Sequence, residues 1–447
     1  MKKPVVSIHW FRRDLRLTDN HGLYLALKEH GNVVPLFIFD TAILDKLENK
    51  QDRRVDFIHR TLADLQQQLN SAGSSLIVEH GEPEVAWRNI LDRYDVKAVT
   101  VNHDHEPYAV ARDARIAAYL ATHNIPFRSF KDISIFERNE VVKDDSKPYT
   151  VFTPYMKKWR SLFTADMMNA FPSEDHLSGF WRTPPLPLLT LGAIGFQRTD
   201  LVIPSTELNE ALLNNYPETR NFPAVNGTSR MSTHLRFGTV SVRELVRRSF
   251  RTSPVYLNEL IWREFFMQVL WHFPHTDRAF KPAYDHIPWR DDELGFQAWC
   301  EGRTGYPLVD AGMRELNATG LMHNRVRMVV ASFLTKHLLL DWRWGEAYFA
   351  EHLLDFELSS NNGGWQWASG SGCDAAPYFR VFNPELQQKR FDPELNYVKN
   401  WVYEYGSANY APPLVVHEVA RKRAIETYKL GLAAQVKSNE RQTQLFT

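Results

Sequence analysis

The 447-residue sequence contains only two cysteines, Cys300 and Cys373, which lie far apart and outside any Cys-x-x-Cys pair. This scarcity excludes a disulfide framework and leaves no spacing for a zinc site. No apolar run approaches the roughly 20 residues that a membrane-spanning helix requires. The apolar run near the N-terminus reaches Arg12 too early for a signal peptide. We therefore expect a soluble, cytoplasmic protein without a bound metal.

The chain also has no excess of positive or negative charge, because 53 Lys and Arg residues balance 53 Asp and Glu residues. The chain as a whole therefore does not attract nucleic acid or an anionic membrane, and any such contact needs a local basic patch. The composition, with 44% hydrophobic residues, is that of an ordinary globular protein. The length predicts two or three domains.

Residues 1–130 alternate short β-branched or aromatic runs with amphipathic helical patterns. The predicted strands cover residues 5–10, 33–39, 75–80 and 97–102, and the helical patterns cover about 52–70, 83–94 and 109–122. This alternation predicts a Rossmann-like α/β domain, with a parallel sheet that is covered on both faces. The first strand runs into FRRDLRLTDN instead of a Gly-x-Gly-x-x-Gly turn, which disfavours an ordinary dinucleotide site there.

The remainder of the chain falls into three parts. Residues 131–204 combine clustered prolines with weak periodicity, which predicts an interdomain connection with little regular structure. Residues 205–435 show helical periodicity, clearest at 241–250, 257–271 and 324–340, and predict an all-α domain. Residues 436–447 are expected to form a loosely held tail.

Nine of the 13 tryptophans lie at or after Trp262. Each of them alone is most simply a core residue. Trp365 and Trp367 differ, because they stand in NNGGWQWASG (361–370), whose glycines and asparagines predict a poor helix interior. Glycine lets the backbone approach a flat group closely, and the two rings could stack on a base or a cofactor.

On each of two predicted helices, two polar side chains and one Trp or Met share one side. They are Glu259, Trp262 and Arg263 on 257–271, and Asn324, Arg327 and Met328 on 322–330. A surface ion pair explains Glu259 and Arg263 taken alone, whereas the whole set favours a pocket with a few placed polar groups. Segment 226–241 places hydroxyls before a helical run, which suits either pyrophosphate binding or an ordinary helix cap.

Four stretches carry a resemblance to a known family. They are WFRRDLRLTDN (10–20), NELIWREF (258–265), GYPLVDAGMRELNATGLMHNRVRM (305–328) and NNGGWQWASGSGCDAAPYFRVFNP (361–384). In this order and spacing, the sequence resembles the DNA photolyase/cryptochrome family over nearly its whole length. The resemblance implies an N-terminal α/β antenna domain, a long connection and a helical domain that holds FAD.

The resemblance also implies the residues that bind and reduce the flavin. The implied FAD-binding residues are Tyr216, Thr228, Ser229, Met231, Ser232, Arg327, Asp355, Glu357 and Asn361. Arg327 is expected to pair with Asp355, and Asn361 to face flavin N5. Glu357 stands where the family commonly has Asp. An electron-transfer chain that reduces the flavin in light is implied at Trp365, Trp342 and Trp289.

The residues that face the lesion distinguish the members of this family. Five of them here resemble class I cyclobutane pyrimidine dimer photolyases: Glu259, Trp262, Asn324, Met328 and Trp367. Photolyases for (6-4) photoproducts carry histidines where this chain has Asn324 and Met328, and DASH cryptochromes usually have Tyr where it has Trp367. DNA-phosphate contacts are implied at Arg220, Arg325 and Arg380. The resemblance therefore implies light-driven dimer repair by a monomer whose partner is UV-damaged DNA.

A second, antenna chromophore is implied at positions that resemble members with a deazaflavin or flavin antenna: Arg54, Asp104 and Glu106. Folate is disfavoured, because Tyr108 and Ala109 stand near the place of an Asn-Glu pair in folate-binding members. An α/β domain without an antenna stays open. So do three other functions: a cryptochrome-type light sensor, a (6-4) photolyase and a flavin-dependent redox enzyme.

Overall fold

The structure is a computed structural model that describes residues 2–445, with side chains described up to Ala433. The chain forms two compact units, and each unit gathers segments that are distant in sequence. The first unit comprises Met1–Val141, Lys158–Glu210 and Arg230–Glu264. The second comprises Val142–Lys157, Ala211–Ser229 and Phe265–Thr447. The sequence-based domain limits at 130, 204 and 435 stay a prediction.

A five-stranded parallel sheet forms the centre of the first unit. Its strands are Val5–Phe11 (β1), Val33–Asp40 (β2), Ile77–Gly81 (β3), Asp95–Asn102 (β4) and Phe127–Phe130 (β5). The strand order is β3-β2-β1-β4-β5, so the order reverses at β1, where Ser7 pairs with Val33 and Val5 with Asp95. The four predicted strands and the α/β class are confirmed.

The core of the sheet explains why its strands are continuous apolar runs. All eight residues of β2 are buried, as expected for a parallel strand that is covered on both faces. Trp10 on β1 packs edge-on against Trp87 at a ring separation of 5.7 Å, and both indoles are fully buried.

Helices follow in chain order. The first ten are α1 His21–Glu29, α2 Thr41–Leu44, α3 Arg53–Ser71, α4 Pro83–Arg93, α5 Pro107–Ala121, α6 Phe152–Leu162, α7 Glu210–Thr219, α8 Met231–Phe237, α9 Val242–Thr252 and α10 Pro254–His272. The others are α11 Glu293–Cys300, α12 Pro307–Thr319, α13 Asn324–Ser332, α14 Trp342–His352, α15 Leu358–Ser369, α16 Pro384–Phe391, α17 Asn396–Trp401 and α18 His417–Leu445. None of these helices combines the length and apolar character that crossing a membrane requires.

Segment 361–370, which the sequence predicts to be a poor helix interior, lies almost entirely within α15, so that prediction is wrong. Tertiary contacts override its low helix propensity. A Cβ on Gly363 would lie 2.3 Å from the ring of Phe266, so only glycine fits there. The Asn362 amide donates to the carbonyl of Thr276 at 2.9 Å, and Gln366 accepts from the backbone amide of Phe280 at 2.8 Å.

Two further segments are more regular than the sequence predicts. Helix α6 lies within the predicted connection, 131–204, together with three short 3-10 helices. Helix α18 continues through most of the predicted tail, 436–447, and residues 446 and 447 lie outside the described part of the chain.

Candidate functional site

An arginine–aspartate pair joins α13 to the segment before α15. The Arg327 guanidinium donates from one nitrogen to both carboxylate oxygens of Asp355, at 3.0 and 2.9 Å, and from Nε to the carbonyl of Met322 at 2.8 Å. The Asp355 side chain is only 3% exposed. The expected pairing of these two residues is therefore present, and the charge of the buried carboxylate is balanced locally.

Asn361, the fourth residue of α15, is held by α14. Its amide nitrogen donates to Glu346 twice, to the carboxylate Oε1 at 2.9 Å and to the backbone carbonyl at 3.1 Å. Because a carbonyl can only accept, these bonds identify the nitrogen, and they leave the amide oxygen without a donor among the described residues. Burial raises the pKa of the Glu346 carboxyl. Glu346 was not predicted from the sequence.

The three tryptophans of the predicted electron-transfer chain lie in one hydrophobic cluster. Trp365 and Trp342 are fully buried in it, and the half-buried Trp289 packs against it. Trp365 contacts Phe349 and Trp299 edge-on, with ring separations of 5.0 and 6.0 Å. The cluster thus extends from a buried indole to a partly exposed one.

Four guanidinium groups converge in the second unit. They belong to the three arginines implied as phosphate contacts, Arg220, Arg325 and Arg380, and to Arg390 on α16. Burial lowers the pKa of the Arg325 guanidinium, and the charges of Arg220, Arg390 and Arg380 lower it further. This cluster is a local basic patch of the kind that a chain without net charge needs to contact a polyanion.

The predicted lesion-facing residues of the second unit lie on α13 and α15. Asn324 is the exposed first residue of α13, and Met328, one turn later, receives a weak hydrogen bond from Arg325 at 3.6 Å. Trp367 on α15 is half-buried and lies 6.4 Å from the ring of Phe382.

The predicted lesion-facing residues of the first unit, Glu259 and Trp262, are half-buried on α10. The next two residues of that helix fix its position. Arg263 donates to the carbonyl of Ile133 at 2.7 Å, and Glu264 accepts from the Trp159 indole at 2.6 Å and from the backbone amides of residues 135 and 136. Burial raises the pKa of the fully buried Glu264 to about 7.

The other predicted FAD residues are spread along the chain. Tyr216 lies on α7, Thr228 and Ser229 lie in the segment between α7 and α8, and Glu357 is the buried N-cap residue of α15. Met231 and Ser232, in the first unit, begin α8.

The tentative antenna residues have different partners in the first unit. Asp104 and Glu106 both accept from Arg13, at 3.0 and 3.3 Å, and Glu106 also accepts from Arg236 at 2.7 Å. Burial opposes ionisation of Asp104, but Arg13 and its other cationic neighbours hold the pKa of that carboxyl well below its usual range. Arg54 pairs instead with Asp52, which is its neighbour at the start of α3.

Comparison with known proteins agrees with this fold. A family model described as DNA photolyase matches residues 7–174, and one described as the FAD binding domain of DNA photolyase matches residues 256–408. Proteins named deoxyribodipyrimidine photo-lyase from Synechococcus sp. and Escherichia coli are 35% and 36% identical to the chain. The first match covers 97% of this chain and 98% of the relative, and the second covers 92% and 90%.

Solved structures give the same result. A bacterial class III photolyase from Agrobacterium tumefaciens superposes with a TM-score of 0.85 at 32% identity, over 96% of this chain and 98% of the other. An archaeal photolyase from Sulfolobus tokodaii with two FAD molecules gives 0.77 at 32%, over 95% and 99%. The fold is thus that of a flavin-binding photolyase or cryptochrome. More particularly, the chain belongs to the DNA photolyase family, and the resemblance found in the sequence is confirmed.

Proposed function

We propose that this protein uses light to repair cyclobutane pyrimidine dimers in DNA, with reduced FAD as its cofactor. The observation that carries the proposal is Asn361, whose amide is oriented by Glu346 within the matched FAD-binding domain. Its uncharged oxygen suits a protonated ring nitrogen of reduced flavin, because an amide oxygen accepts a hydrogen bond without adding charge.

The residues around Asn361 fit FAD in other ways. Within the described part of the chain, the hydroxyl of Ser359 is buried without a hydrogen-bond partner, as expected of a group that a ligand satisfies. Asp355 lies four residues before Ser359 in the sequence, and its pair with Arg327 would set the charge beside the isoalloxazine. When bound, reduced and excited by light, FAD supplies one electron that splits the cyclobutane ring and then returns to the cofactor.

Side chains of this protein would position the damaged bases and stabilise the charge that develops on them. A dimer inside the duplex must be flipped out, and its poor stacking lowers the cost to at most a few kcal/mol. Trp262 and Trp367 would stack on the extruded dimer, each contributing about 1–3 kcal/mol. Glu259 would hydrogen-bond the polar edge of the dimer, and in its protonated form, which can donate, it would stabilise the negative charge that the dimer gains. Asn324 and Met328 would complete the contact surface.

Two groups of residues would act at a distance from the dimer. Trp365, Trp342 and Trp289 would relay electrons inward when the flavin is oxidised, because the cluster connects a buried indole to a partly exposed one. The arginine patch would hold the DNA backbone through its phosphates, which positions the strand without reading its sequence.

A second chromophore is proposed for the first unit, and a deazaflavin or a flavin fits it better than folate. The ion pairs of Asp104 and Glu106 with Arg13 and Arg236 keep polar groups together near the end of β4. Co-purification of a second chromophore that is lost in Glu106→Ala would support this site. We further propose that the protein acts as a monomer in the cytoplasm.

The test is to illuminate the purified, reduced protein with two oligonucleotides, one containing a cyclobutane dimer and the other a (6-4) photoproduct. Repair of the first alone is expected. Repair of the (6-4) photoproduct alone would overturn the proposal. Repair of neither lesion while FAD is bound would also overturn it, and would favour a light sensor.

A further inference from the structure

The arginine patch is built around the ring of Phe391, the last residue of α16. The guanidinium of Arg325 lies 4.4 Å from the centre of this ring, and that of Arg390 lies 5.1 Å from it. The ring itself is buried, and Phe222 contacts it edge-on at 6.4 Å. Two cations from different helices therefore share one fixed aromatic support.

The other two arginines of the patch are supported in the same way. Arg220 lies over Tyr216 at 5.7 Å, and Arg380 lies over Phe382 at 5.6 Å. The aromatic contacts restrict these long side chains, so less conformational freedom is lost when they bind an anion.

In the described part of the chain, three of the four arginines in the patch are not neutralised by an internal anion. Among the residues that the structure describes, Arg325, Arg380 and Arg390 form no ion pair with a carboxylate. Arg325 instead donates to the neutral side-chain oxygen of Asn221 at 2.7 Å. An ordinary solvated surface would disperse such charges or pair them, whereas three converging arginines without a carboxylate partner suit an external polyanion.

We propose that Arg390 is a fourth residue that contacts DNA phosphates, and that Phe391 is a positioning residue that orients Arg390 and Arg325 towards the backbone. Arg390 is exposed, so its guanidinium is available to a strand that approaches Arg325. The inference rests on the proposed function, because it identifies a further part of the same DNA-binding surface.

The first test is the salt dependence of duplex binding by the FAD-containing Arg390→Gln variant, with and without a dimer in the DNA. Loss of one phosphate contact should lower the slope of log Kd against log salt by about 0.9. The same relation predicts a Kd about eightfold higher at 0.1 M salt, converging with wild type near 1 M. Damaged and undamaged duplexes should be affected equally, since a phosphate contact carries no base information.

The matched control is Lys422→Gln, which removes one exposed positive charge from α18. Its slope should equal that of wild type. An unchanged slope in Arg390→Gln, or an equal fall in both variants, would overturn the inference. Neither result would affect the proposed function, which fails separately if the wild type repairs no dimer.

The role of Phe391 is tested with Phe391→Leu and Phe391→Tyr. Phe391→Leu removes the aromatic face, so its salt slope should fall at least as far as that of Arg390→Gln. Phe391→Tyr keeps the aromatic face, so its salt slope should equal that of wild type. A loss of folding alone would change thermal unfolding without separating the two slopes in this way. Equal salt slopes for Phe391→Leu and Phe391→Tyr would contradict the positioning role of Phe391. If Phe391→Leu does not fold, the Arg390→Gln variant still decides whether Arg390 contacts a phosphate.

Discussion

Gly345 on α14 gives the sharpest prediction about the tryptophan cluster. A Cβ at this position would lie 2.0 Å from Cη2 of Trp365 and 2.6 Å from Cδ2 of Leu334, whereas ordinary contacts begin near 3.4 Å. The Trp365 ring would have to move by roughly 1.5 Å to relieve this overlap. Phe349 and Trp299 pack against that ring, so it has no free volume to enter.

Gly345→Ala is therefore expected to destabilise the protein, although alanine favours helices. Overpacking a core costs about 1–3 kcal/mol, and the gain in helix propensity returns about 1 kcal/mol, so the net loss is up to about 2 kcal/mol. Gly364→Ala on α15 is the matched control, because nothing lies within 4 Å of its Cβ position. That variant should be more stable by up to about 1 kcal/mol.

Denaturant unfolding of the FAD-free proteins measures both changes. A second measurement follows from the displaced ring: light-driven reduction of oxidised FAD should slow in Gly345→Ala, while repair by chemically reduced protein is largely kept. Equal stabilisation by both substitutions, or unchanged photoreduction despite the loss of stability, would contradict an overlap between the alanine methyl group and the Trp365 ring.

Four further predictions concern the lesion-facing residues and pH. Trp262→Ala should bind dimer-containing DNA about 5- to 150-fold more weakly, from the loss of about 1–3 kcal/mol of stacking, with undamaged DNA unaffected in a filter-binding assay. Glu259→Gln should keep FAD and lose most repair in a single-turnover flash experiment, and full repair would exclude its role. Asn324→His with Met328→His should weaken dimer repair, and unchanged turnover would count against these contacts. Finally, the pKa of Glu264 is near 4.5 in the unfolded state and about 7 in the folded state, so between these pH values the native state keeps a proton that the unfolded state has lost. Its contribution to stability is complete below about pH 4.5 and falls by about 3 kcal/mol as pH rises past 7. Glu264→Gln should lack this fall in unfolding free energies measured at pH 5 and pH 8, and a parallel fall in both proteins would contradict it.

The strands and helices that sequence periodicity predicts are those with long, uninterrupted patterns. The runs at 33–39 and 97–102 are rich in β-branched or aromatic residues and are buried except at Lys97, and they form β2 and β4. Strand β5 was not predicted because it has only four residues, FRSF, and no continuous apolar run. Helix α15 was misjudged because contacts from distant segments, not local propensity, stabilise its glycines and asparagines.

In the candidate site too, residues marked by a sequence motif were predicted, whereas residues that only tertiary packing brings together were not. Arg327 with Asp355 followed from the resemblance, and the structure brings the two together. Glu346 was missed because its contact with Asn361 crosses from α14 to α15, and no spacing in the sequence marks it. Arg390 was missed because a charge run at the end of a helix usually faces solvent, and only packing shows that it shares the ring of Phe391 with Arg325.

Electron donation from reduced FAD is tested most directly on the holoprotein in four states: reduced or oxidised flavin, each in light or in darkness, with a dimer-containing oligonucleotide in a single turnover. Restored pyrimidines are expected in the illuminated, reduced sample, and none in darkness with either flavin state. Repair in darkness, or repair at equal yield from oxidised protein in which the tryptophan relay is blocked by Trp365→Phe, would contradict electron donation from the reduced cofactor.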